Sequence, residues 1–181
     1  MYGKGLILRY TNWYVITGAP CSGKTSVILA LADLGYRVVH EAARAYIEEE
    51  LKKGRRLQNL KADPLVFERR ILYRKIDTES ALPEDEIIFL DRAIPDSIAY
   101  YHVEGLDPAE PEEKSRLFRY KKVFLFERLV FETDPVRSED DLLAESLDRH
   151  LESGYRGLGY DVLRVPVLPV QDRTRLIIEH L

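Results

Sequence analysis

The sequence predicts an α/β fold in three layers, a parallel sheet between two sets of helices. Three observations carry the prediction. Apolar runs of strand length alternate with stretches of helical period along the whole chain. A glycine-rich loop joins the first such run to the first helix. The length of 181 residues, with 45% hydrophobic and 32% charged residues, suits one domain, residues 1–181, with a sizeable core.

The elements are expected as follows. Residues 1–12 form an N-terminal extension. Trp13–Thr17 reads as a buried strand, and a helix runs from Gly23 to about Leu34, with Gly35 as its stop. Tyr36–His40 is a second strand. A helix from about Glu41 to Lys53 has Glu48/Lys52 and Glu49/Lys53 at i,i+4 spacing and stops at Gly54. Asp63-Pro64 is an N-cap followed by a first-turn proline. The helix it opens is expected to turn Leu65, Phe67, Ile71, Leu72 and Ile76 to the core. Ile87–Asp91 is an apolar strand ending in an acid, and a helix follows Pro95. Asp107–Pro111 reads as a turn-rich spacer, Lys122–Phe126 as a fourth strand and Leu129–Arg137 as a loop. Ser138-Glu139-Asp140-Asp141 resembles a capping box before a long helix with Leu143, Leu147 and Leu151 on one face, stopped by Gly157 and Gly159. Asp161–Val165 is the fifth strand and Val170–Leu181 the closing helix. Five strands with right-handed helical crossovers place ligands at the C-terminal strand ends.

Composition narrows the function classes. A net charge of −4 argues against a general nucleic-acid binder, so no nucleic-acid partner is expected. No apolar run is long enough for a membrane-spanning helix, so no integral membrane segment is expected. Residues 1–10 lack a signal-peptide core, which makes the cytoplasm the expected location. The one cysteine, Cys21, excludes an internal disulfide. His40, His102, His150 and His180 share no metal-ligand spacing.

The loop Gly18-Ala19-Pro20-Cys21-Ser22-Gly23-Lys24-Thr25 matches G-x-x-x-x-G-K-[ST], the phosphate-binding P-loop (Walker A), in its strand–loop–helix context. Its glycines let backbone N–H groups converge on anionic oxygens. Lys24 reaches β- and γ-phosphates, Thr25 offers a hydroxyl to Mg²⁺, and the following helix, through Ser26, points its positive end at the same place. Gly18 to Ser26 are therefore the candidate residues for ATP or GTP, with nothing that reads the base.

Asp91 has the position of a Walker-B carboxylate for Mg²⁺. The next residue is Arg92, where motor-type ATPases usually carry a water-activating Glu; an arginine suits a second anionic or polar substrate. No Asn-Lys-x-Asp guanine signature occurs. Glu41, at the end of the second strand, is placed to accept a proton from a hydroxyl nucleophile, with Arg44 one turn on to orient the substrate; alternatively Glu41 is a first-turn acid that suits the helix dipole. Arg128 and Arg137 flank the loop after the fourth strand, which reads as a lid over residues 128–138 that closes on the triphosphate and brings Arg137 to the transferring phosphoryl. Tyr100 and Tyr101 stack on a base or, alternatively, pack in core and rim.

Together with the P-loop, Glu41-Ala42-Ala43-Arg44, Asp91-Arg92-Ala93-Ile94-Pro95-Asp96-Ser97-Ile98-Ala99-Tyr100-Tyr101 and Asp134-Pro135-Val136-Arg137 occur in order. In these segments, over about residues 13–180, the chain resembles the AAA-28 group of P-loop proteins, similar to the kinase domain of the bacterial regulator NadR. Ala93 stands where that pattern often has Gly. The resemblance implies the fold of nucleoside and nucleotide kinases, with strand order 2-3-1-4-5 and a lid, and Mg²⁺-dependent binding of a nucleoside triphosphate. The expected activity is transfer of the γ-phosphoryl of ATP or GTP to a small nucleoside- or nucleotide-like acceptor, with Lys24, Glu41, Asp91, Arg92 and Arg137 catalytic and Glu41, Arg44, Arg92 and Tyr100 holding the acceptor. The alternative is a non-catalytic or slowly hydrolysing ATP/GTP-binding switch that recognises a phosphoinositide or a protein partner; animal members of the group resemble GTP- and phosphoinositide-binding proteins.

Overall fold

A computed structural model describes residues 8–128 and 138–181. The sheet consists of β2 (Trp13–Thr17), β3 (Arg37–Val39), β4 (Ile88–Asp91), β6 (Lys122–Phe126) and β7 (Val162–Val165), all parallel, in the order β3-β4-β2-β6-β7. Counted among these five alone, that is 2-3-1-4-5. A separate two-residue ladder, β1 (Arg9–Tyr10) with β5 (Phe118–Arg119), was not expected from sequence. It ties the end of the N-terminal extension to the body, with the Arg9 guanidinium 4.1 Å above the Phe118 ring.

Period-two alternation along β2 builds both faces of the sheet. Tyr14 and Ile16 join Val27, Ile28 and Leu31 of α1 (Lys24–Asp33) and Ile177 of α8 (Val170–Ile178) in one core. Trp13 and Val15 face the other way, against Leu72 of α4 (Pro64–Ser80), Ala99 of α5 (Asp96–Val103) and Leu147, Leu151 and Tyr155 of α7 (Ser138–Gly157). A third cluster joins Tyr46 of α2 (Ala42–Lys52) and Leu60 of α3 (Leu57–Leu60) to Phe67 and Ile71 of α4. Asp63 caps α4 as expected, accepting from the Val66 N–H at 3.1 Å.

Four local expectations are corrected. Leu65 is exposed; the inward face of α4 is completed instead by Glu68, Lys75 and Glu79, all buried. Leu143 is exposed because the buried face of α7 follows Ala144, Leu147, Leu151 and Tyr155, which leaves Leu143 out of phase. The spacer at Asp107–Pro111 contains the start of a short helix, α6 (Ala109–Lys114); its prolines occupy first-turn positions where no intrahelical N–H is needed. The i,i+4 pairs expected on α2 are replaced: Glu49 binds Arg74 of α4 through two hydrogen bonds, and Lys53 turns to Glu50.

Because all five strands run parallel, their C-terminal ends share one edge. Ile16 is in register with Asp91 and Thr17 with Leu125, so the loop after β2 and the acid ending β4 meet there. The lid assigned to residues 128–138 lies, for 129–137, outside the described residues, and Arg137 with it. Among the described residues no helix is long and apolar enough to cross a membrane.

Candidate active site

The P-loop owes its path to two glycines. Gly18 has φ +144°, and a Cβ there would come within 2.6 Å of the Phe126 carbonyl oxygen, so only glycine lets the loop leave β2 this close to β6. Gly23 has φ +78° and precedes the first turn of α1, whose amide N–H groups have no side-chain cap. Cys21 also takes a positive φ, of 60°, and is exposed. Lys24 is folded inward: its Nζ donates to the carbonyls of Gly18 and Ala19 and to Ser22 Oγ, each at 2.9 Å. Burial lowers its pKa to about 7; the Arg92 charge adds to this, while Asp91, Glu41 and Asp96 oppose it. Thr25 and Ser26 are exposed on the first turn.

Asp91 is buried at the end of β4, and its Oδ1 has no hydrogen-bond partner. Burial, and then the Glu41 carboxylate, push its pKa up to about 6 against the pull of Arg92 and Lys24. An orphaned carboxylate oxygen beside a P-loop, with the Thr25 hydroxyl in the first turn of the helix, is a donor set that suits Mg²⁺. Among the described residues no three carboxylate, histidine or cysteine side chains cluster around a metal position. Such a cation would therefore take most of its ligands from phosphates and water, as Mg²⁺ does.

The next residue, Arg92, has φ 66°, a left-handed conformation that costs a non-glycine residue about 1–2 kcal/mol. Its N–H donates to the Ile16 carbonyl at 3.0 Å, which fastens the turn across the sheet. The guanidinium donates to Glu41 Oε1 at 3.1 Å and Asp96 Oδ1 at 3.3 Å and lies 5.4 Å from the Tyr100 ring centroid. Burial works against its charge, and Tyr100, Glu41, Asp96 and Asp91 more than reverse that, so Arg92 stays protonated. Ala93 has no positive φ; the strained position is Arg92, so the alanine is accommodated.

Asp96 is the hub beneath. Fully buried, it accepts from the Thr17 hydroxyl at 2.5 Å, the Ala93 N–H at 3.0 Å, Arg92 and the Tyr155 hydroxyl at 2.5 Å. Burial alone would favour its neutral form; Lys75, Arg92 and these donors outweigh it and hold Asp96 ionised. Lys75 donates to Ser97 Oγ at 3.0 Å, and burial lowers its pKa. Glu79 accepts from the Ile94 N–H and the Tyr120 hydroxyl.

The structure thus brings Lys24, Glu41, Asp91, Arg92 and Tyr100 to one strand edge. Arg44 is not among them: its exposed side chain pairs with Glu48 at 3.7 Å along α2. Tyr101 is core, 1% exposed. Sequence reasoning missed Thr17, Lys75, Tyr155 and Arg173. Asp96 was visible as the last residue of Asp-Arg-x-x-Pro-Asp, but its partners on β2 and α7 had no local signal. Arg173 of α8 lies against the P-loop, donating from Nη1 to the Ser22 carbonyl at 2.7 Å.

Comparison with known proteins bears on the family and the fold. The family model AAA-28, an AAA domain, matches residues 13–173. No curated protein matches the chain in sequence. Among solved structures, thymidylate kinase from Ehrlichia chaffeensis superposes with TM-score 0.67 at 14% identity, over 92% of this chain and 96% of that one. Deoxyadenosine kinase from M. mycoides, with products bound, gives 0.60 at 20% identity over 92% and 96%. NadR protein in complex with NR gives 0.68 at 17% identity over 94% of this chain, which spans about half of that protein. These likenesses show an α/β P-loop kinase-like fold.

Proposed function

The chain belongs to the AAA-28 family, and from that premise we propose that it is a Mg²⁺-dependent phosphotransferase. It moves the γ-phosphoryl of ATP or GTP to a small nucleoside- or nucleotide-like acceptor. The observation that carries the reading is the division of labour at the strand edge. Lys24 and the orphaned Asp91 stand on the P-loop side, and beside them Arg92 and Glu41 form an ion pair of their own at 3.1 Å. Hydrolysis needs no such second centre; an acceptor does.

In this reading the loop from Gly18 to Ser26 binds the triphosphate, while Thr25 and Asp91 hold Mg²⁺, which when bound neutralises charge on the β- and γ-phosphates. Glu41, 29% exposed while Arg92 is 5% exposed, accepts the acceptor's hydroxyl proton. Arg92 holds the acceptor, with Tyr100 at its side. A cavity of about 450 Å³ between α2 and α4, bordered by His40, Ala45, Lys75, Glu79 and Arg92, is of the size that takes a small molecule. Arg44 reaches an acceptor only by leaving Glu48. Arg137 is assigned to the transferring phosphoryl from sequence alone. Arg137→Ala is expected to raise the barrier by about 2–4 kcal/mol while changing nucleotide affinity little.

The test is a panel of nucleosides, nucleotides and related polar metabolites, scored by ADP release with Mg²⁺. Acceptor-dependent release supports the proposal. Slow hydrolysis unchanged by every acceptor, with tight binding of a phosphoinositide headgroup, supports the switch instead.

A further inference from the structure

Arg173 is distant in sequence from every motif, yet the P-loop is built around it. Its Nη1 donates to the Ser22 carbonyl at 2.7 Å, and its guanidinium lies 5.4 Å from the Phe126 ring centroid. A Cβ on Gly23 would come within 2.8 Å of Nη2, so this glycine leaves room for the guanidinium as well as supplying the positive φ. The residue is 4% exposed, and its Nε has no hydrogen-bond partner. Among the described residues no carboxylate forms an ion pair with it.

That last point separates Arg173 from the other buried cations of this region. Arg92 binds Glu41 and Asp96, Lys75 is faced by Asp96, Glu68 and Glu79, and Lys24 by Asp91. Burying a cation without a counter-ion is costly, and an arginine does not escape by losing its proton. The geometry also says where a counter-ion would sit. In a planar trans peptide the C=O and N–H point in opposite directions. The Ser22 carbonyl accepts from Arg173, so the Gly23 N–H of the same peptide points away from it.

We propose that Arg173 is a positioning residue of the triphosphate site: it fixes the Ser22–Gly23 peptide with its N–H directed into the loop, and the bound polyphosphate is the counter-ion its charge lacks. The proposal rests on the reading of this loop as a phosphate site.

The experiment is calorimetric binding of inorganic tripolyphosphate and of ATP, each with Mg²⁺, to the parent and to Arg173→Lys, Arg173→Met and Arg173→Gln. Tripolyphosphate isolates the phosphate contacts from any base contact. The Met and Gln variants are expected to bind both ligands about tenfold or more weakly, the order for one unit charge held within a loop's thickness of another. Lys, which keeps the charge and a donor, is expected to stay within about threefold of the parent. Without ligand, Met is expected to melt at or above the parent's temperature, because an unpaired buried charge has been removed. Parent-like tripolyphosphate affinity in the Met and Gln variants, or equal losses in Lys and Met alongside a falling melting temperature, would make Arg173 a structural brace and overturn the proposal. Should Met fail to fold, Lys against Gln decides in the same way. A parent that binds neither ligand overturns the reading of the loop instead.

Discussion

Lys24 and Asp91 are two buried groups of opposite sign whose pKa values converge, to about 7 and about 6, on the pH range in which the protein would work. Burial disfavours both charges, and on the proposed function the triphosphate and its cation would restore them. At pH 8 the free protein's Lys24 is therefore mostly neutral, and a triphosphate that demands the ammonium should draw in a proton. Calorimetry in buffers of different ionisation enthalpy is expected to show uptake approaching one proton per ATP at pH 8, and at pH 6 a net release of up to about half a proton, because Lys24 is already charged there while half-protonated Asp91 gives up its proton to the cation. No uptake at pH 8 would mean that Lys24 is already charged in the free protein or does not meet the phosphates. Lys24→Ala is expected to weaken ATP binding by about 2 kcal/mol or more, the scale of a lost charge-assisted hydrogen bond. Asp91→Asn is expected to shrink the Mg²⁺ dependence of that binding, read as a smaller difference between the affinities with the metal and with EDTA than the parent shows. These residues were legible because each stands in a short motif whose neighbours explain it. The pairing of Glu41 with Arg92 was not, although both were singled out, because 51 residues separate them and only the register of β3 on β4 brings them together.

The helices hold this edge in place through polar groups facing the core, where sequence pattern is least informative. On α4 the expected apolar stripe is interrupted by Glu68, Lys75 and Glu79, and period alone assigns such residues to solvent. Glu79 is the clearest case. Burial raises its pKa to about 8 despite the Tyr120 hydroxyl, Lys75 and the Ile94 N–H, against an ordinary value of 4.5. Between those two values the folded chain keeps a proton that the unfolded chain has released, so this residue's contribution to stability falls as pH rises toward about 8 and levels off above it. Glu79→Gln is expected to remove that slope; urea midpoints of parent and variant at pH 5, 6.5 and 8 measure it, and parallel curves would refute it. On α7, Tyr155 donates to Asp96 at 2.5 Å, linking the helix to the turn that carries Arg92. Tyr155→Phe leaves a buried carboxylate oxygen short of a donor and is expected to lower stability by about 1–3 kcal/mol in urea titrations. A change below about 0.5 kcal/mol would mean that the contact contributes little.

For the whole molecule, the alternation of strands and helices pointed to a parallel sheet covered by helices, and five strands with a P-loop after the first favoured an open three-layer sheet over a closed barrel. The P-loop set the functional edge, because all parallel strands end on the same side. What stayed hidden were contacts between remote elements: the β1–β5 ladder, Asp96 with Thr17 and Tyr155, and Arg173 on the loop. Each depends on packing that no local window contains. The central claim is that this edge transfers a phosphoryl group between two bound molecules rather than only holding a nucleotide. The most direct measurement follows the phosphorus resonances of ATP with Mg²⁺, the protein and one candidate acceptor at a time. The account predicts, for at least one nucleoside- or nucleotide-like acceptor, that the γ-phosphate signal is replaced by a phosphate ester of that acceptor in step with ADP. It also predicts that Lys24→Ala abolishes the exchange. A γ-phosphate signal that persists with every acceptor, or that passes only to inorganic phosphate at a rate no acceptor alters, would contradict it.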